Sequence, residues 1–443
     1  MRRHLAVLLL LAATAPLAAA GPAALPAASQ PEATVTQLAS YPVFDARGRA
    51  AGTAPWLVSD AGGNCCEVYL DATDSGRIVE IGGEKPWYSD DGARTWRSVP
   101  GVVPLLLGEG ALVPTPEGDV LAVTWDYSQG DRLVAFRQDR RTGEWQTQDV
   151  PSRGSQFERP YLSVVRGPFV VDGVTHPWMS VVRSIVSTEP DLAYVSTDGL
   201  DYRPVHLVLD AQGRPPVTSW LDRTAEPSAD WTQGHHESEV VSLGRGGLLR
   251  PQRFDGYLRT ADTSGCTAYV LVPPEPRFTC HRLPAGDLPP GPVVADSRGR
   301  LHTVTHEDGV VTVGTSTDGA RSWRSTSFAV PGGGEVLDVM LRAHGRLGRT
   351  AVQLHVARED GNGAVLVAVL DTRGSTPRLL RSYQVGRADI ETTDGGVQGG
   401  GVLDGPARWD LPSVAWLPDG RLVAAFLDGA HPHPELAVLQ RRA

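Results

Sequence analysis

Four short clusters in this chain carry side chains able to hold or transform a ligand. They are Glu158-Arg159 ahead of Pro160-Tyr161-Leu162, His235-His236-Glu237 with Glu239, Glu335 ahead of Val336-Leu337, and Arg408-Trp409-Asp410 ahead of Leu411. Arginines such as Arg159 and Arg408 present planar forks that grip a carboxylate in a bidentate way. Carboxylates such as Glu237 and Asp410 can serve as general acids or bases, and Tyr161 adds a phenol. Each cluster also has a plainer reading. Glu158 and Arg159 could form a local ion pair at a strand start. The two histidines and two glutamates look like a metal cluster but lack any defining ligand spacing, so a solvated loop is expected and no metal or cofactor is invoked. Arg408 and Asp410 could instead make a salt bridge between neighbouring sheets. His431-Pro432-His433-Pro434 reads as an exposed loop.

Most of these clusters stand just before short apolar segments, so strand starts must position them. The strands are marked by two recurring turns. The octapeptide Ser89-Asp90-Asp91-Gly92-Ala93-Arg94-Thr95-Trp96 returns with two changes as Ser316-Thr317-Asp318-Gly319-Ala320-Arg321-Ser322-Trp323. Weaker copies run from Arg137 to Trp145 and from Ser196 to Tyr202. An aspartate that accepts backbone N–H bonds, a glycine that tolerates positive φ and a terminal aromatic anchor describe a tight turn between strands. Asp91, Asp318, Trp96 and Trp323 are therefore expected to be structural. A second turn, with Gly or Asp between apolar strands, appears at 74–78, 116–120, 244–248, 296–301, 344–347 and 418–422. These spacings predict consecutive hairpins within one repeating unit.

The repeat length matches a propeller blade. With the irregular stretch around Tyr161 to Val182, the count is seven units, or six if the segment from His206 to His236 upsets it. The expected fold is all-β, a β-propeller of four-stranded blades. The last unit shows three strands, so the strand from Thr34 to Val43 is expected to complete it and close the ring. In such a ring, ligands meet loops and innermost strand starts, which is where the four clusters fall.

Composition sets the remaining bounds. With 49 Gly, 35 Pro and 11 Trp in 443 residues, the chain reads as short strands joined by turns. A formal charge of −10 argues against nucleic acid as a partner. Lys85 is the only lysine, and the arginine excess reads as a compositional bias. Arg2-Arg3, the apolar run Leu5 to Leu11 and Ala18-Ala19-Ala20 follow the plan of a signal peptide over 1–20, so the product is expected to be secreted and extracellular. A Pro/Ala-rich leader over 21–33 precedes a single domain over 34–443. No later apolar run is long enough to span a bilayer, and a monomer is expected. Cys266 and Cys280 bracket a hairpin that a disulfide could close; adjacent Cys65 and Cys66 leave several connectivities open.

The repeated octapeptides resemble the Asp-box, or BNR, repeats of the sialidase superfamily, and Asp410-Leu411-Pro412-Ser413-Val414-Ala415-Trp416 resembles a blade-opening strand of secreted BNR-repeat proteins. The resemblance implies a propeller whose boxes lie away from the binding face, and a partner that is an extracellular glycan or glycoconjugate. It implies a glycoside hydrolase with Glu237, Asp410 and Tyr161 as catalytic residues and Glu158, Arg159, Arg408 and Trp409 as substrate-binding residues; the alternative is a propeller that binds a glycan or protein without catalysis. No Phe-Arg-Ile-Pro-like segment precedes Ser89, where that family places its first arginine; Phe157-Glu158-Arg159-Pro160 has a similar composition but follows the first box.

Overall fold

The computed structural model describes residues 23–24, 36–60, 68–82, 86–98, 110–126, 132–150, 158–186, 192–206, 241–242, 247–249, 268–271, 278–281, 293–318, 322–358, 363–388, 413–427 and 434–440. Among them there is no helix, and the strands pair antiparallel into six sheets: four of four strands, one of five and one of nine. The architecture is all-β and consistent with a propeller-like fold.

The sheets are built from runs of four strands. Unit 1 is Val68–Ala72, Ile78–Gly82, Pro86–Ser89 and Arg97–Ser98; unit 2 is Gly110–Pro114, Val120–Asp126, Arg132–Gln138 and Trp145–Val150. Unit 3 is Glu158–Val171, Val174–Val186, Leu192–Ser196 and Arg203–His206; unit 4 is Val241–Ser242, Gly247–Leu249, Ala268–Leu271 and Phe278–His281. Unit 5 is Val293–Ala295, Leu301–Glu307, Val310–Ser316 and Arg324–Ala329; unit 6 is Glu335–His344, Arg349–Ala357, Gly363–Asp371 and Arg378–Ala388. Unit 7 is Ser413–Trp416, Leu422–Leu427 and Pro434–Leu439, and its fourth strand is Ala50–Asp60. The first strands touch in succession, unit 1 on unit 2 through to unit 6 on unit 7, and unit 7 on unit 1.

The fourth strand of unit 7 differs from the sequence expectation. Ala50–Asp60 pairs with Pro434–Leu439, whereas Thr36–Asp45, the expected partner, lies outside it and also pairs through Val43–Asp45 with Tyr383–Arg381 of unit 6. Burial explains the choice. Trp56 and Val58 put an apolar face into the core at 0% and 2% exposure, whereas Leu38 on the other strand is 70% exposed. The strand Thr36–Asp45 thus joins units 6 and 7 at their outer edges. Ala23 and Ala24, inside the expected leader, pair with Thr147 and Gln146 on the edge of unit 2.

Apolar packing lies between sheets. One cluster joins Val79, Ile81 and Tyr88 of unit 1 to Leu121, Phe136 and Trp145 of unit 2 and Trp178 and Tyr194 of unit 3. Others join units 5 and 6, units 6 and 7, and units 7 and 1. Where neighbouring sheets cover both faces of a strand, it reads as a nearly unbroken apolar run, as in Gly363–Asp371 of unit 6, which packs between units 5 and 7 and is buried throughout.

Five of the six short hairpin turns expected from sequence connect the first and second strands of a unit; for the sixth, the flanking strands Val241–Ser242 and Gly247–Leu249 pair as expected and the residues between them lie outside the described ones. Four share one geometry: Thr73, Thr115, Asp296 and Leu417 each donate a backbone N–H four residues ahead and accept one from a glycine three residues on. Those glycines, Gly76, Gly118, Gly299 and Gly420, have φ of 89°, 90°, 75° and 83°, the left-handed conformation that makes glycine necessary there. The hairpin of Ala268–Leu271 with Phe278–His281 is present, and Cys280 stands opposite Tyr269 in its register. Cys65, Cys66 and Cys266 lie outside the described residues.

Candidate functional site

Antiparallel alternation divides each unit into two ends. Turns from first to second and from third to fourth strand share one end; the starts of first strands occupy the other. All four boxes lie between third and fourth strands, after Ser89, Gln138, Ser196 and Ser316.

The first box is a closed hydrogen-bond system. Asp91 Oδ1 accepts the N–H groups of Arg94 and Thr95 at 3.0 and 2.9 Å and the Ser89 hydroxyl at 2.9 Å, while Oδ2 accepts the Thr95 hydroxyl at 2.7 Å. Burial pushes this carboxyl up, but the donors of Thr95, Ser89 and Arg94 outweigh it and hold Asp91 below the usual range. Trp96 is fully buried and donates its indole N–H to Ser59 Oγ at 3.1 Å, tying unit 1 to unit 7. Asp318 accepts the N–H and hydroxyl of Ser322 at 2.9 and 2.7 Å, and Asp198 accepts the N–H groups of Leu200 and Asp201 at 2.8 and 2.9 Å. These aspartates are saturated by their own turns and the anchoring aromatics are packed, so the boxes are structural.

Arginine has a use at this end that the sequence reading assigned to composition. Arg77 of unit 1 grips Asp90 of its own box through Nε and Nη2 at 2.6 and 3.0 Å and donates from Nη1 to Gln138 in unit 2. Arg137 of unit 2 grips Asp119 through Nε and Nη2 and reaches the carbonyl oxygen of Asp198, in the box of unit 3, at 2.8 Å. Arg300 of unit 5 holds Asp296 through Nε at 2.8 Å and donates from Nη1 to the carbonyl of Thr372 in unit 6. One edge of each fork binds an aspartate of its own unit, and the remaining nitrogen fastens the next unit's third-to-fourth turn. For Arg77 and Arg300 the recurring Gly-Arg pairs at 76–77 and 299–300 were the available signal; Arg137, which follows Phe136, had none. A pocket of about 310 Å³ at this end, between units 7 and 1, is lined by Asp74, Asp90, Asp91, Pro418, Asp419 and Arg421.

The opposite end receives the sequence-chosen residues that can be located. Glu158, Arg159 and Tyr161 open the first strand of unit 3, with Glu158 opposite Val186 and Tyr161 opposite Arg183. Glu335 opens the first strand of unit 6 and is exposed. Glu237, Arg408, Trp409 and Asp410 lie outside the described residues, as do His235, His236 and Glu239. Beside Glu335 is a residue the sequence reading missed. Gly332, Gly333 and Gly334 run in succession at φ 80°, 74° and 110°, and Arg358 at the end of the second strand donates to the Gly333 carbonyl. The glycine triplet was a visible sign of tight backbone at this end; nothing local pointed to Arg358. Among the described residues no group of three or more His, Cys, Asp or Glu could hold a metal.

No protein-family model and no curated protein matches the chain. Solved structures that are similar include a chain of a mitotic checkpoint complex, 8% identical over 87% of this chain and 91% of that one, with a TM-score of 0.40. They also include the polysaccharide lyase Uly1, 9% identical over 81% and 88% at a TM-score of 0.38, and a leech intramolecular trans-sialidase, 12% identical over 86% and 69% at 0.33.

Proposed function

We propose that this chain is a secreted, closed propeller of seven Asp-box-type blades that acts on terminal sugars of extracellular glycans, with sialidase-like hydrolysis as its chemistry. The observation that carries the reading is the shared geometry of the box turns at equivalent points in units 1, 3 and 5, joined to the sequence resemblance of the boxes. The succession of first-strand contacts from unit 1 to unit 7 and back supports the closed ring. On this reading the ligand mouth is the end opposite the boxes, where Glu158, Arg159 and Tyr161 begin a first strand. Arg159 and Arg408 would hold a sugar carboxylate bidentately, with Glu158 and Trp409 completing recognition. Tyr161 with Glu237 and Asp410 would supply the nucleophile and proton transfers at the anomeric carbon.

The test is turnover of a fluorogenic α-sialoside, with other uronate-type glycosides and uronate polysaccharides alongside, by the chain lacking residues 1–20. Arg408→Ala and Arg159→Ala should each lower kcat/KM at least about tenfold while the melting temperature holds. Absence of turnover across that panel would remove the hydrolase. A second reading, a non-catalytic glycan- or protein-binding propeller, is favoured by the lack of a Phe-Arg-Ile-Pro-like segment before Ser89. It is distinguished by retention on a glycan array without product release.

A further inference from the structure

The turn end of unit 6 carries exposed positive charge that neither the boxes nor the proposed mouth uses. Pairing registers set one row across its four strands: His344 lies opposite Arg349, Arg349 opposite Asp371, and Asp371 opposite Arg378. Directly opposed residues of antiparallel strands point to one face, and strands about 4.8 Å apart make the row about 14 Å long. Asp371 is its centre. Arg373, in the turn that follows, folds back and grips Asp371 through Nε and Nη2 at 3.0 and 2.6 Å, and Arg378 Nη2 reaches the same carboxylate at 3.4 Å. The turn ahead of Arg349 is joined to the turn of Arg373 by the Thr372 N–H on the Gly348 carbonyl at 2.9 Å. The place a Cβ would take on Gly348, at φ 60°, is filled by the Arg373 side chain. The joined sheet carries the charge outward. Arg381 stands opposite Asp45, which Arg49 holds through Nε and Nη2 at 2.9 and 2.7 Å.

These arginines face solvent. Arg373 and Arg378 are 68% and 72% exposed although both hold Asp371, and Arg49 is 67% exposed. Arg346, Arg349 and Arg381 are exposed and make no ion pair or side-chain hydrogen bond among the described residues. Asp371 and Asp45 are the carboxylates among them, too few to neutralise the stripe. We propose that it is a docking surface for an anionic polysaccharide, which lies across the strands of unit 6 with its carboxylate or sulfate groups on the forks of Arg349, Arg373 and Arg378. A guanidinium offers an oxyanion two parallel N–H groups, and Arg373 Nη1 and every nitrogen of Arg349 are left for a ligand. One small anion in so exposed a place is screened by water and salt, whereas a chain of anions engages several forks at once. The formal charge of −10 opposes the dense phosphates of a nucleic acid, which call for a broad basic face. A lipid surface would use exposed apolar side chains beside the charge. Among the described residues the large ones are Leu38, Val170, Val174 and Val310, and none is on unit 6. The stripe is at the end opposite the proposed mouth and does not rest on it.

The test measures retention of the full chain on immobilised heparin, which bears sulfates and carboxylates, and on polygalacturonate, which bears carboxylates alone, with neutral dextran beside them. Saturable binding to at least one polyanion and none to dextran is expected, weakening as salt rises from about 0.05 to about 0.5 M. Retention on heparin alone assigns the forks to sulfate; retention on both assigns them to either anion. Arg349→Gln with Arg378→Gln should bind at least about tenfold more weakly at an unchanged melting temperature. Arg132→Gln with Arg203→Gln, which removes as many charges from units 2 and 3, should bind as the parent does. Should the first pair melt early, Arg346→Gln with Arg381→Gln decides by the same criterion. Arg159→Ala with Arg408→Ala should also be retained, so that the mouth and the stripe can each fail alone. Absence of saturable binding to both polyanions, equal losses in the stripe and control pairs, loss in the mouth variant, or tighter binding to duplex DNA or phosphatidylglycerol vesicles than to either polysaccharide would overturn the proposal.

Discussion

The boxes of units 1 and 2 occupy the same turn and end in a fully buried tryptophan, yet are held differently. Asp91 takes four donors from its own octapeptide, and Trp96 finds Ser59 in unit 7. Asp139 takes only the N–H groups of Arg141 and Thr142, at 2.7 and 3.1 Å, and the indole nitrogen of Trp145 has no partner among the described residues. Gln138 replaces the box serine and receives Arg77 from unit 1. The unit 2 turn relies instead on backbone bonds between Asp139 and Glu144 and between Gly143 and Asp139, and on Gln138 Nε2 donating to the Gly143 carbonyl, so the anchor and the carboxylate network are separable.

The largest effect expected from this contrast is at the anchors. Trp96→Ala should cost roughly 3–5 kcal/mol in chemical denaturation, as for other buried tryptophans, and Trp145→Ala a comparable amount; a small loss at either would break the idea that the aromatic carries the box. Next comes the carboxylate. Asp91→Ala strands several donors and should cost about 1–3 kcal/mol, whereas Asp139→Ala should cost under about 1 kcal/mol, and equal losses would erase the distinction.

pH sharpens the comparison further. Asp91 and Asp198 are held below the ordinary carboxylate range despite burial, so their contribution is present above the unfolded pKa of about 4 and is lost as pH falls through the folded values. The melting temperature should therefore fall more steeply on acidification in the parent than in Asp91→Asn, with parallel curves counting against the assignment. The smallest effect separates the two indoles. Trp96→Phe should cost about 1 kcal/mol through the lost Ser59 bond, while Trp145→Phe should be near neutral, because a donor with no partner is removed.

Much of the fold was legible because its signals are local. The αL glycines at 76, 118, 299 and 420 and the Asp-to-N–H bonds of the boxes are set within five residues, and the turns fall where those residues fall. The candidate site was less so. Strand starts could be guessed from the apolar segments behind Glu158 and Glu335, but no local signal singled out Arg358, whose partner Gly333 is 25 residues away.

The sequence alone determined the all-β character, the repeated hairpins and the structural role of the box aspartates, since those follow from turn geometry and from short apolar segments between the turns. Tertiary structure decided which N-terminal strand completes unit 7, that Arg77, Arg137 and Arg300 fasten neighbouring units, and that Trp416 of unit 7 bonds the Arg342 carbonyl of unit 6. Those outcomes depend on pairings between residues far apart in the chain. They are selected by burial and charge in the assembled sheets, and no spacing within one unit encodes them.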